Sequence, residues 1–266
     1  MPESDSTVLT VDDVGGVRTL TLNRPDAFNS LTTELKQALL TEVQRAAGDQ
    51  VVRALVLTGS GRAFCAGQDL REHAALLDAS DPEPLRTVSE HYNPLISALV
   101  TLPKPTIAAV NGMAAGAGAS LAYACDLRVA ASSARFLLAF AKIGLSVDSG
   151  ASWTLPRLVG YGRAMEMLLL AEPVDAEQAL ATGMVNRVVA DGQALATAQE
   201  LAGRLATGPT TAYAKIKEAV AAAATADLPE SLSVEAGTQA EAGGTADHRE
   251  GVAAFMAKRE PQFTGR

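Results

Sequence analysis

Two runs of small residues are the places in this chain where the backbone itself could do chemistry. One is Ala63-Phe64-Cys65-Ala66-Gly67-Gln68-Asp69-Leu70, and the other is Asn111-Gly112-Met113-Ala114-Ala115-Gly116-Ala117-Gly118-Ala119-Ser120. Each follows an expected strand and runs into an expected helix. Small residues let a ligand approach the main chain closely. The first N–H groups of a helix lack internal partners and carry partial positive charge. Two such ends side by side could hold an oxyanion. The competing reading is that the small residues serve tight packing of helix on strand. A further group with chemical potential is Asp148, in Gly144-Leu145-Ser146-Val147-Asp148-Ser149-Gly150. On spacing alone it reads as the N-cap of a helix beginning near Ala151.

Other site signatures fail on single positions. Gly116-x-Gly118 lacks the small sixth residue of a dinucleotide loop, because Leu121 stands there. No Gly-Lys-Ser/Thr follows either run, which excludes a phosphate-binding P-loop. Gly144-Leu145-Ser146-Val147 nearly completes a nucleophile elbow, but the fifth residue is Asp148.

The composition bounds the function classes. The 266 residues are 48% hydrophobic and 20% charged, ordinary for a globular chain of one large or two small domains. A net charge of −8 opposes binding to a nucleic-acid backbone, and no basic run suits nucleic acid or a lipid surface. The two cysteines, Cys65 and Cys125, have no metal or disulfide spacing, and His73, His91 and His248 are scattered, so no metal site is expected. Reduced thiols fit a cytoplasmic setting. The start, Met1 to Ser6, is polar and acidic and does not read as a signal peptide. No uncharged apolar stretch reaches membrane-spanning length.

These groups need elements to position them. Residues 8–11 and 17–22 read as a hairpin turned by Gly15-Gly16. Leu35, Leu39, Val43 and Ala46 share a helical face. Short apolar strands are expected at 54–58, 106–110, 127–130 and 185–189. A helix over 85–102 is expected to break near Pro94. Beyond Gly150 the pattern is mostly helical: 151–159, 161–170, 176–181, 195–206, 210–224, 231–241 and 249–258. Asp175 and Gln178 form a capping box for one of these. The alternation of short strands and helices argues for an α/β core with a helical tail of the kind that packs on another subunit.

Taken together, the ordered motifs resemble the crotonase (enoyl-CoA hydratase/isomerase) superfamily. The likeness runs from about Val17 to the C-terminus. It is carried by Leu22-Asn23-Arg24-Pro25 with Asn29, Cys65-Ala66-Gly67-Gln68-Asp69-Leu70, Lys104-Pro105, the turn from Asn111 to Gly118, Cys125-Asp126, Leu155-Pro156-Arg157 and Ala181-Thr182-Gly183-Met184-Val185. The resemblance implies a spiral of ββα units over residues 1–200, with a helical trimerisation region over 201–266. It implies an acyl-CoA substrate, no separate cofactor, and a homotrimer or dimer of trimers. It also implies that the thioester oxygen sits between the N–H groups of Gln68 and Ala117. The family usually has Gly at the second position, and Ala keeps the donor.

Family hydratases use two glutamates, at the positions of Ser120 and Phe140 here. Both acids are therefore missing, and general acid–base catalysis needs a group that titrates near the working pH. The resemblance turns Asp148 from cap into catalyst, because family isomerases and dehalogenases carry a functional Asp in this segment. The branch that isomerises ring-1,2-epoxyphenylacetyl-CoA in phenylacetate breakdown shares Tyr92-Asn93-Pro94-Leu95, Phe140-x-Lys142-Ile143-Gly144-Leu145 and the tail around Ala254-Phe255 and Pro261-Gln262-Phe263. The expectation is an isomerase acting on that ring epoxide or on 3-enoyl-CoA. A hydratase using Asp148 and a non-catalytic acyl-CoA binder are the alternatives. Phe140 would wall the acyl group or serve only the core. CoA is expected along Arg24, Ala27 and Phe28 and along Ala66, Gly67, Asp69 and Leu70. Gly116, Ser120, Phe140 and Leu145 complete the substrate contacts. Lys258 or Arg259 would meet the phosphates, or simply end a solvated helix. The stretch 71–84, expected to be mobile, would help shape the acyl pocket.

Overall fold

The computed structural model describes residues 7–266, so the polar start read above as lacking a leader lies outside it. The hairpin forms as expected: β1 (Leu9–Val14) pairs antiparallel with β2 (Val17–Leu22), and Gly15 and Gly16 take φ of 58° and 82° in the turn. The next strands follow a repeating path. β3 (Ala54–Gly59) leads to the short β4 (Ala63–Cys65), β5 (Thr106–Val110) to β6 (Met113–Ala115), and β7 (Leu127–Ala131) to β8 (Arg135–Leu137). The longer strand of each pair enters a six-stranded sheet of order β1-β2-β3-β5-β7-β10, with β10 at Arg187–Val189. The shorter one enters a second sheet of order β4-β6-β8-β9, with β9 at Val174–Asp175. Within the long sheet, every pairing from β2 onward is parallel. Each turn of the chain thus adds one strand to each sheet and then a helix, the ββα spiral.

Helices close the faces. α1 (Thr33–Gly48) starts at Thr32, whose hydroxyl accepts from the Leu35 N–H, and buries Leu35, Lys36, Leu39, Val43 and Ala46. α2 (Leu70–Asp78) occupies most of the stretch expected to be mobile. One π-helical turn, Val88–Tyr92, runs directly into α3 (Asn93–Val100), with Pro94 in the first α turn. The expected break near Pro94 is therefore a change of helical winding, and Tyr92 sits on it.

α4 (Ala117–Ala124) is buried along its whole length and follows β6 after one residue. α5 (Ala151–Val159), α6 (Tyr161–Leu170) and α7 (Ala176–Ala181) follow, the last with the expected Asp175–Gln178 capping box. α8 (Ala194–Ala206) lays Ala198, Ala202 and Ala206 against Val17, Val56, Ile107 and Val129 of the long sheet. The expected domain division at residue 200 falls inside this helix. Because α8 covers the sheet, the core continues to Ala206, and α9 (Thr210–Ala223), α10 (Leu228–Gly243) and α11 (Ala246–Ala257) form the helical region.

Glycine is required where the two small-residue loops meet. A side chain begun at Gly118 would stand 2.3 Å from the carbonyl oxygen of Cys65. One begun at Gly67 would stand 2.7 Å from the Ala115 carbonyl oxygen and 3.4 Å from the Ala117 nitrogen. Gly116 has open space around it but adopts φ 51°, ψ −125°, a conformation closed to L side chains. The loop after β4 and the turn after β6 therefore touch backbone to backbone. We predict that Gly118→Ala lowers stability by about 1–3 kcal/mol in denaturant titration, since the methyl can enter only by parting the loops. An unchanged midpoint would show that the loops are not in contact.

Candidate active site

The contact between loops leaves two donors unpaired. At the first loop, the Leu31 N–H donates to the Gly67 carbonyl (2.7 Å) and the Asp69 N–H donates to the Leu31 carbonyl (3.2 Å). Extended backbone alternates, so the Gln68 N–H between them is directed away from Leu31, and it has no acceptor among the described residues. At the second loop the Gly116 N–H donates to the Leu137 carbonyl (2.8 Å), which holds the turn against β8. Ala117 is the first residue of α4, and its N–H has no acceptor among the described residues. Gln68 and Ala117 both line one cavity of about 420 Å³.

The cavity collects most of the residues singled out from the sequence. Arg24, Ala27, Phe28, Ala66, Gly67, Asp69, Leu70, Gly116, Phe140, Leu145 and Asp148 all line it. Ser120 does not. It is fully buried on α4, and its hydroxyl donates to the Gly116 carbonyl (3.2 Å), bracing the turn that presents Ala117. Lys258 does not line it either, being exposed at the end of α11. Arg259 is held by both oxygens of Glu250 (2.6 and 2.8 Å). Phe140 is 7% exposed within the core cluster, and it also lines the cavity.

Three carboxylates line the cavity: Asp26, Asp69 and Asp148. Asp26 is exposed on the 3-10 turn Pro25–Ala27. Asp69 is fully engaged. One oxygen caps α2 by accepting from the Arg71 and Glu72 N–H groups, while the other takes Arg24 (2.9 Å) and the Ser30 hydroxyl (2.8 Å). Burial pushes this carboxyl up, but the bonds from Ser30, Arg24 and Glu72 outweigh it and hold it at about 2.

Asp148 is different. The cap reading from spacing does not hold, because Gly150 occupies the N-cap position of α5 and no side chain caps that helix. Ser149 and Gly150 take left-handed φ of 51° and 74°, and the chain enters α5 with only the Asp148 backbone carbonyl bonded to Ala151 N–H (3.0 Å). The Asp148 side chain is half-buried and accepts one hydrogen bond, from the Ser149 hydroxyl (2.8 Å). It has no cation within salt-bridge distance among the described residues. Burial raises its carboxyl above the ordinary value, moderated by the Ser149 bond and by the charge of Lys36.

Behind Gln68 lies a polar cluster that sequence reading did not place in the site. The Tyr92 hydroxyl donates to Gln68 Oε1 (2.6 Å), and Lys36 Nζ donates to the same oxygen (3.1 Å) and to Thr87 Oγ1. Tyr92 and Lys36 are each 1% exposed. A signal was present: Lys36, Leu39 and Val43 have i, i+3, i+7 spacing, which puts a lysine on the apolar face of α1. His73, Thr87 and Val88 also line the cavity, and no motif marks them, while Ile143 comes from the segment around Phe140.

Known proteins share this arrangement at the level of sequence and fold. The family profile described as enoyl-CoA hydratase/isomerase matches residues 12–266. The chain belongs to the enoyl-CoA hydratase/isomerase family. It is 48% identical over 251 residues to the 1,2-epoxyphenylacetyl-CoA isomerase of Escherichia coli K12, covering 94% of this chain and 96% of that one. It is 47% identical over 252 residues to a "probable enoyl-CoA hydratase" of Rhodobacter capsulatus, covering 94% and 95%. A solved Mycobacterium abscessus protein assigned to the enoyl-CoA hydratase/isomerase class superposes with a TM-score of 0.94 at 42% identity, covering 97% of this chain and all of that one. The chain is therefore an enzyme of the CoA-thioester isomerase/hydratase type with the crotonase fold.

Asp69 gives this family member's loop a testable anchor. Asp69→Ala should cost about 2–4 kcal/mol at pH 7, through the lost cap and the Arg24 guanidinium left without its partner. A carboxyl held at about 2, below its ordinary 3.8, contributes its stability above the ordinary value and loses it as pH falls toward 2. Denaturant midpoints of wild type and Asp69→Ala should therefore converge in acid; a constant gap would sink the ionic account.

Proposed function

We propose that this enzyme isomerises a CoA thioester without adding water, using Gln68 and Ala117 as oxyanion donors and Asp148 as the proton carrier. The observation that carries the reading is the state of the cavity's carboxylates. Asp69 is consumed by a cap and an arginine, Asp26 is exposed, and Asp148 is half-buried, without a cation in contact among the described residues, and raised above the ordinary value by burial.

The chemistry follows from the geometry. The thioester carbonyl oxygen lies between the two free N–H groups. Asp148 removes a proton from C2, and the electron pair moves into the thioester as an enolate. The negative charge on oxygen meets donors already aimed at it, each worth about 3–4 kcal/mol in the transition state. For a 3-enoyl chain the same carboxyl returns the proton at C4, and the double bond ends in conjugation with the thioester. No water is consumed. The apolar wall of Val88, Phe140 and Leu145 suits this, since it excludes water and accepts a flat acyl group. The acyl group we favour is a 3-enoyl chain or the ring epoxide of phenylacetyl-CoA, the latter supported by the likeness to the Escherichia coli enzyme. CoA would run along Arg24 to Phe28 and Ala66 to Leu70, supplied by the cell as part of the substrate rather than as a resident cofactor.

We also assign the helical region to assembly as a homotrimer or a dimer of trimers in the cytoplasm. Val220, Phe255 and Met256 are 69%, 82% and 77% exposed there, a large apolar surface for one chain. Lys258 would then meet the CoA phosphates of a neighbouring subunit. Among the described residues no helix is long and apolar enough to cross a membrane.

Asp148→Asn should lower turnover of 3-enoyl-CoA to the conjugated thioester by about 10²–10⁴-fold, with KM little changed. Comparable turnover in the mutant would remove Asp148 from the mechanism, and fast hydration of 2-enoyl-CoA by the wild type would favour a hydratase. Because the base must be ionised, activity should fall as pH drops through a value raised above that of an ordinary aspartate by burial. In light scattering, particles of three or six chains of 27.4 kDa are expected; a monomer would overturn the assembly.

A further inference from the structure

Lys36 is a cation without a carboxylate in contact. It projects from the buried face of α1 into the cluster behind the cavity, and no acidic group lies within salt-bridge distance of it among the described residues. The nearby acids are occupied elsewhere. Glu72 accepts from the Thr33 N–H (3.0 Å) at the start of α1, and Asp69 holds Arg24. The ammonium is instead held by Gln68 Oε1, Thr87 Oγ1 and the face of the Tyr92 ring, 4.7 Å from its centroid. An ammonium has three donors, and two are accounted for by these bonds. Lys36 is absent from the cavity lining, so it touches no substrate, whereas Gln68, Thr87 and Tyr92 all line it.

We propose that Lys36 is a positioning residue for the isomerisation: from behind the cavity wall its ammonium fixes the Gln68 side chain, and with it the peptide carrying one oxyanion donor, and supplies the positive charge against which Asp148 ionises. This rests on the reading of Asp148 as the base. The bonding supports the first half, since Gln68 Oε1 receives both Lys36 and Tyr92 and its residue is pinned on both flanks by Leu31. The charges around the pocket support the second. The groups that bear on Lys36 or on its ring partner Tyr92 are Glu72 and Asp69 at the start of α2, Asp148 before α5, His91 on the π turn and Cys65 on β4. Glu72 and Asp69 are committed to hydrogen bonds, His91 has its ring basicity lowered by burial and by Lys36, and the Cys65 thiol is pushed up to about 12 by burial. Among the described residues, Lys36 is thus the cation whose charge opposes the effect of burial on Asp148.

The test reads both halves. In Lys36→Met, kcat for 3-enoyl-CoA should fall by about tenfold or more, with KM changed less than about threefold, because the lost support acts on the transition state. Removing a nearby positive charge disfavours the carboxylate, so the acid limb of the kcat/KM profile should move to higher pH. Lys36→Arg keeps the charge and should bring the limb back. Lys36→Gln removes the charge while keeping a polar group, and carries the same test if the methionine variant does not fold. Tyr92→Phe removes one bond to Gln68 but no cation; it should lower kcat and leave the limb in place.

A ¹³C-detected titration of the Asp148 carboxyl, in wild type and in each variant, separates the two ideas. If the wild-type limb does not coincide with the Asp148 titration, the base assignment fails. If it coincides but neither the limb nor the titration moves in Lys36→Met or Lys36→Gln, the role of Lys36 is overturned. A loss of activity through KM alone, with the limb unmoved, also overturns it, because that is what simple loss of packing would do.

Discussion

Two loops of this protein pass close enough that a single methyl group would part them, and the site is built around that contact. Gly118 lies against the Cys65 carbonyl and Gly67 against the Ala115 carbonyl and the Ala117 nitrogen. Backbone groups held in this way cannot swing toward water or toward each other. The peptide flanks of Gln68 are spent on Leu31, and Gly116 is spent on Leu137, so the Gln68 and Ala117 N–H groups are left over by construction. Donors that are fixed before substrate arrives lose nothing to reorganisation when charge develops. The double spiral serves this contact. Each turn places one strand in the long sheet and a three-residue strand in the short one, and β4 and β6 are the neighbours whose ends carry the two loops.

The charges are arranged around that frame at unequal cost. Asp69 has four bonds and serves the loop rather than the reaction. Asp148 has one, and burial works against its ionisation. An acid in that state is poorly placed for stability and well placed to give and take a proton, which is the usual conflict between folding and activity. Lys36 carries the complementary burden. It is buried without a contacting carboxylate and is itself pushed toward its neutral form by burial. Neither group sits comfortably alone, and each eases the ionisation of the other.

How much of this could be read from residues alone depends on the length of the signal. Strands such as β5, four to six residues of apolar character between breakers, were legible, as were α5, α6 and α7 to their ends. β4, β6, β8 and β9 were not, because two or three residues cannot display a period, and so the second sheet was invisible. The small-residue loops posed a choice between packing and ligand binding. Gly67 and Gly118 do pack, and beside that packing the Gln68 and Ala117 N–H groups are left without acceptors among the described residues. The spacing of Asp148 before α5 suggested a cap, since nothing in a one-dimensional pattern reveals that Ser149 turns left-handed and hands the cap position to Gly150. Lys36 was legible in principle. It keeps step with Leu39 and Val43, and a lysine in step with core leucines has to find its partners indoors.

On the proposed reading, the pair of free N–H groups serves the chemistry of thioesters without choosing a reaction, because an enolate oxygen is stabilised in the same way whether a proton, water or a ring oxygen moves next. The walls must decide it. Ser120 is folded back onto the Gly116 carbonyl and contributes to the shape of the turn, leaving no carboxylate on α4. Phe140 offers an apolar face where a second acid would be needed to deliver water. On the proposed reading, with those two positions silent, Asp148 is the carboxylate left to act, and a single carboxyl can return a proton it has taken without a second acid. A proton shuttle of the kind proposed needs nothing more, which is why, on that reading, the absence of acids at Ser120 and Phe140 says as much about the chemistry as the presence of Asp148.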